Sequence, residues 1–139
     1  MKFILFVLLA LELFAFDTAT ASKIFDKIFL AMVDKDNISV YTVNNKYKEV
    51  VLASSNLYIS SEVESADIIL VDSLEEIPKN SEGLLLFTTS HVVYKVNKDS
   101  VGAFYWDRGH IKIEFSRVRL HNKQISLPQN FDKYIKDSE

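Results

Sequence analysis

The first apolar positions form an unbroken block, Phe3-Ile4-Leu5-Phe6-Val7-Leu8-Leu9-Ala10-Leu11, behind a single Lys2. Glu12 interrupts the block, Asp17 stops it, and a small-residue exit, Ala19-Thr20-Ala21, follows. A bilayer-spanning helix needs roughly 20 mostly apolar residues, whereas a secretory h-region needs about 7–15. The pattern predicts a signal peptide over residues 1–21, cut after Ala21. Cleavage after Ala15, behind Leu13-Phe14, is a second option. An uncleaved membrane anchor is a third, because Glu12 is unusual inside an h-region. Residues 22–139 then form one domain, and its place is the periplasm.

Beyond the leader the pattern changes repeatedly. Ile24, Phe25, Ile28, Phe29 and Met32 mark one helical face over residues 22–33, with Ser22 as its predicted cap. The β-branched and aromatic run at 38–43 predicts a strand, and residues 46–54 a helix facing inward through Tyr47, Val50 and Val51. A short strand at 57–60 and a brief helical link at 62–66 come next. Ile68-Ile69-Leu70-Val71 is a continuous apolar run between Asp67 and Asp72, as expected of a strand buried on both faces of a parallel sheet. Leu84-Leu85-Leu86-Phe87 repeats the signal. Short helical segments are predicted at 73–77 and 90–96.

The last third alternates. Residues 101–106 and 110–115 read as a β-hairpin around Arg108-Gly109, with Ile111, Ile113 and Phe115 alternating with polar neighbours. Residues 116–120 form a helix or a strand extension, and 129–135 a terminal helix burying Phe131, Tyr134 and Ile135. The expected architecture is α/β: an open, mainly parallel sheet flanked by helices, with a C-terminal β-hairpin and terminal helix.

Composition narrows the chemistry. The net charge is −3, and −2 once Lys2, Glu12 and Asp17 leave with the leader. That offers no basic footprint for nucleic acid and no polybasic patch for lipid. The chain has no cysteine, so an exported domain has neither disulfides nor a lipoprotein anchor. Ten phenylalanines and six tyrosines against three glycines argue for a packed core and against a glycine-rich phosphate cradle. His91, His110 and His121 stand far apart without ligand spacing, so no metal is expected. Glu62, Glu64, Glu75 and Glu76 lie on polar faces with nothing to pair them for acid–base work. No nucleophile–base pair is visible. The expectation is a non-enzymatic protein with no catalytic residue and no cofactor.

Two binding surfaces remain. Open α/β sheets bind ligands beyond the carboxyl ends of their strands. Here those ends carry Asn44, Asp72, Thr88, Thr89 and Ser90, a candidate site for a small anionic ligand. Helix capping by Thr89 or Ser90 is the plainer role for those hydroxyls. The second surface is the hairpin. Alternation puts Phe104 and Trp106 on one face and Tyr105 on the other. Tyr105, Trp106 and Arg108 are residue types enriched at interfaces, although packing of both faces into the core accounts for them equally.

Several short motifs support a resemblance. They are Ala66-Asp67-Ile68-Ile69-Leu70, the segment from Gly102 to Gly109 (G-A-F-Y-W-D-R-G), Ile113-Glu114-Phe115, Arg119-Leu120, Leu127-Pro128 and Lys133-Tyr134-Ile135. In their order the chain resembles small exported bacterial proteins of unknown function. More distantly it is similar to the YfiR-type periplasmic regulators over residues 38–135. That resemblance implies an α/β domain that restrains an inner-membrane sensor, a diguanylate cyclase, through the sensor's periplasmic part. The disulfides of many YfiR-type proteins are missing, so redox-dependent control is not carried over. The resemblance brings no catalytic residues. The leading expectation is a periplasmic binding or regulatory module touching a membrane sensor, with no stable membrane insertion after cleavage. A periplasmic small-ligand-binding protein is the alternative.

Overall fold

A computed structural model describes residues 17–137. The predicted leader therefore lies mostly outside the described residues. The chain begins with helix α1 (Thr18–Met32), followed by β1 (Ile38–Tyr41), α2 (Asn45–Leu52), β2 (Leu57–Ile59) and β3 (Ile68–Val71). A 3-10 turn at Leu74–Glu76 leads to β4 (Leu86–Thr88), α3 (His91–Val96), β5 (Ser100–Asp107), β6 (His110–Ser116) and α4 (Arg117–Asn122). A second 3-10 turn, Gln129–Tyr134, precedes β7 (Ile135–Lys136).

The seven strands form one sheet in the order β2-β1-β3-β4-β5-β6-β7. The first five are parallel, β6 returns antiparallel to β5, and β7 runs parallel to β6. All four residues of β3 are buried, as its unbroken apolar run requires. Successive β3 residues serve opposite faces: Ile68 and Leu70 join the larger core, Ile69 and Val71 the smaller one. The larger, front core lies under α1 and α2, and the smaller, back core under α3.

Three expectations are corrected. Helix α1 starts four residues before Ser22, capped by Asp17, whose carboxylate accepts from the Ala19 and Thr20 amides; Ser22 is buried inside the helix. The segment 62–66 holds only turns and bends, held by the Ser60 and Ser65 hydroxyls on the Glu62 carbonyl. The predicted terminal helix is a 3-10 turn, and the chain then adds β7 beside β6. An i, i+3 apolar spacing suits either helix type, and a two-residue strand has no period to read.

Phenylalanines knit the front core. Phe25 of α1 lies 4.8 Å from Phe104, 5.4 Å from Phe29, and 6.1 Å from both Tyr47 and Phe87, centroid to centroid. Phe115 reaches Phe87 at 6.0 Å by crossing the backbone of Gly102. A Cβ at Gly102 would stand 2.5 Å from Phe115 Cδ1 and 2.9 Å from the Glu114 carbonyl oxygen. The register between β4 and β5 also shifts at this point: Leu86 pairs with Ser100 but Phe87 with Gly102. The extra residue, Val101, lets both Val101 and Phe104 enter the front core.

Below the sheet's amino end, Arg119 of α4 is fully buried. Its guanidinium donates to the carbonyls of Tyr94 (2.7 Å), Ser100 (2.9 Å) and Asn97 (3.3 Å) and lies 4.4 Å from the Tyr94 ring centroid. It closes the end of α3, whose last carbonyls have no helical partners.

Replacing Gly102 with alanine is expected to destabilise the fold by about 1–3 kcal/mol, the usual cost of overpacking. Urea denaturation of Gly102→Ala checks this, and an unchanged midpoint would contradict the packing described for Phe115.

Candidate functional site

The carboxyl ends of β1, β3 and β4 lie side by side, and the sheet order reverses direction between β1 and β3. Chain continuation from β1 leads to one edge and from β3 to the other. This is the place where open α/β sheets leave a crevice. Val40, Leu70 and Phe87 face the front core. The pleat therefore carries Thr42, Asp72 and Thr89 to that same face, one step beyond each strand's apolar part.

Asp72 and Thr89 are joined by a polar contact. The Thr89 hydroxyl donates to Asp72 Oδ1 at 2.5 Å. The Tyr47 hydroxyl, reaching over from α2, is hydrogen-bonded with Thr89. Burial raises the Tyr47 phenol above its ordinary pKa; the nearby Asp72 and Glu76 carboxylates add to this, and the Thr89 bond works against it. Glu76 accepts from the Asp72 amide and the Ser73 hydroxyl, fixing the turn after β3. Thr42 Oγ1 is buried and has no hydrogen-bond partner among the described residues. A buried hydroxyl in that state carries a desolvation cost of about 1–3 kcal/mol.

The five candidate ligand residues are thus brought to one end of the sheet, each with a side-chain hydrogen bond within the fold. Asn44 caps α2 by accepting from the Lys46 amide at 2.9 Å. Thr88 is fully buried; its hydroxyl donates to the Val71 carbonyl at 2.8 Å and accepts from the Ser90 amide at 3.0 Å. Ser90 caps α3 by accepting from the Val93 amide at 3.2 Å. Capping is therefore what Ser90 does here. With Asp72 and Glu76 contributing negative charge, this end of the sheet suits a hydrogen-bond donor better than an anion. Thr42 and Tyr47 went unnoticed as members of this group. Thr42 reads as part of a β-branched strand and Tyr47 as part of an apolar helical face.

The hairpin residues separate onto two faces. Asp107 pairs with His110 across a two-residue turn in which Arg108 (φ 53°) and Gly109 (φ 82°) both take positive φ. That is the turn geometry whose twist matches the strands. Phe104 is buried in the front core, and Trp106, two residues on, remains 50 % exposed. Arg108 is exposed at the tip. Tyr105 points to the back, where it stacks on His91 with centroids 4.4 Å apart and an interplanar angle of 18°. Its hydroxyl donates to Glu114 Oε1 at 2.5 Å, and His91 Nε2 lies 3.5 Å from the same oxygen. Burial, the Glu114 hydrogen bond and the Glu114 charge push the Tyr105 phenol well above its ordinary pKa. Glu114 escaped notice because its role depends on the Ala103↔Glu114 register, which places it beside Tyr105 on one face.

The chain matches no family model, no curated protein and no solved structure. Among the described residues no three His, Asp or Glu side chains converge to hold a metal, and no helix is long and apolar enough to cross a membrane.

Two outcomes follow from this geometry. Thr42→Val removes the unpartnered hydroxyl while keeping the shape, so it is expected to stabilise the protein by about 1 kcal/mol in thermal or urea unfolding. A loss of stability would mean the hydroxyl is satisfied. Tyr105 holds its proton more tightly folded than unfolded. Its contribution is complete below the ordinary phenol value of 10.0 and is lost as pH rises beyond it. The difference in melting temperature between wild type and Tyr105→Phe should be flat from about pH 7 to about 9.5 and shrink above about 10. A difference that stays constant at higher pH would refute the bond to Glu114.

Proposed function

We propose that this chain is an exported, non-enzymatic binding module that regulates an inner-membrane sensor, as the resemblance to YfiR-type regulators implies, and that the tip of its hairpin is the contact surface. The observation that carries this reading is Trp106. It is the chain's single tryptophan and stands half exposed on the front side of a rigid two-residue turn. Arg108 is exposed at the same tip. Tryptophan and arginine are the side chains that most often dominate binding energy. A second observation adds to it. Strand β7 pairs only with Phe115 and Ser116, so β6 from His110 to Glu114 has a strand neighbour only on its β5 side among the described residues. A free edge beside an exposed aromatic side chain suits a partner that adds a strand and seats a side chain against Trp106. Tyr105 is committed to His91 and Glu114, so it supports the hairpin and is not itself a contact.

The polar group at the carboxyl ends of β1, β3 and β4 favours a second reading, binding of a small polar ligand. The unpartnered Thr42 hydroxyl supports it, with Asp72 and Glu76 nearby to accept hydrogen bonds.

Trp106→Ala is expected to weaken capture of the sensor's periplasmic domain from detergent-solubilised membranes by about 30-fold, the effect of removing a 2 kcal/mol hot spot. The melting temperature should stay unchanged. Val92→Ala, at an exposed site on the back helix, serves as the control and should bind as wild type does. Equal capture by Trp106→Ala and wild type would sink the hairpin reading.

A further inference from the structure

We infer that the leader is removed after Ala15, so that the mature chain begins at Phe16; the inference rests on the export reading above. Residues 17–22 are part of the folded domain. Asp17 Oδ1 accepts from the Ala19 amide at 3.1 Å and the Thr20 amide at 3.3 Å, while the Thr20 hydroxyl donates to Asp17 Oδ2 at 2.5 Å. The Ala21 amide donates to the Asp17 carbonyl at 2.9 Å, closing the first turn of α1. Ala21 is 3 % exposed and Ser22 4 %.

Cleavage after Ala21 would discard the cap and the first turn together. It would also place a new α-ammonium on Ser22, a buried position at the positive end of a helix dipole, where a cation is disfavoured twice. Cleavage after Ala15 keeps Asp17 and all of α1, and the new ammonium falls next to an acidic residue in sequence. The A-x-A spacing of Ala19 and Ala21 is given up for Ala15 alone, with Leu13 third before the cut. The apolar block ends at Leu11, and Glu12-Leu13-Phe14-Ala15 becomes a short exit that starts with a polar residue. Glu12 is then outside the h-region, whose nine residues from Phe3 to Leu11 fall within the usual length. Asp17, which stops the apolar block, is the helix cap and not part of the exit.

The test uses the full chain with its own leader and a C-terminal tag, expressed in a Gram-negative bacterium. N-terminal sequencing and intact mass of the purified protein should give a chain starting at Phe16. A start at Ser22 would overturn the inference while leaving export standing. A start at Met1 would overturn the inference and count against cleaved export as well. Two lysine substitutions separate the sites. Ala15→Lys removes the small residue before the proposed cut and should abolish processing at Phe16. Ala19→Lys spoils the third residue before the rival cut at an exposed position and should leave processing unchanged. The reverse pattern would refute the proposed site.

Discussion

The seating of Phe25 joins three layers of contact on the front of the sheet. One ring from α1 meets Tyr47 of α2, Phe87 of the parallel sheet and Phe104 of the hairpin strand. The continuous sheet sets the frame from β1 to β5, and this ring packs α1 against elements at both ends of that span. The tilted and edge-on ring geometries are those that aromatic pairs prefer, each adding roughly 0.5–1.5 kcal/mol to the burial itself. Phe115 extends the same cluster only because Gly102 leaves room for it. The N-terminal helix is therefore structural to its first turn, which is why residues just behind an apparent leader matter for stability.

The sheet separates two kinds of surface at its carboxyl end. In front, Thr42, Tyr47, Asp72 and Thr89 form a polar group at the point where strand order reverses. At the back, His91, Tyr105 and Glu114 brace the hairpin. Trp106 continues the front face along β5 toward the hairpin tip, and it stays half exposed. The hairpin is braced from behind and half bare in front, an arrangement that keeps a contact side chain in place without burying it.

Much of the fold was legible because its signals are local. Ile68–Val71 could only be a strand buried on both faces, and Arg108-Gly109 between alternating segments could only be a tight turn. What escaped was non-local or disguised. Asp17 looks like the end of a leader, and only its carboxylate accepting from the Ala19 and Thr20 amides shows it to be a cap. Arg119 carries a charge, and charged residues default to the surface; its carbonyl partners come from α3 and β5, about 20 residues earlier, and no spacing rule points to them. At the strand ends the sequence pattern marks Asn44, Asp72, Thr88, Thr89 and Ser90 only by position. Their hydrogen-bond directions were not readable, because a hydroxyl gives no sign in sequence of whether it faces outward or into its own backbone.

Arg119 and His91 hold opposite ends of α3. The guanidinium fastens the end near Tyr94 and Asn97 through their carbonyls. The imidazole at the other end stacks on Tyr105 and lies 3.5 Å from the Glu114 oxygen that also receives the Tyr105 hydroxyl. The helix is thus a strut between the start of β5, held by the arginine, and the far end of the same strand, which carries Trp106.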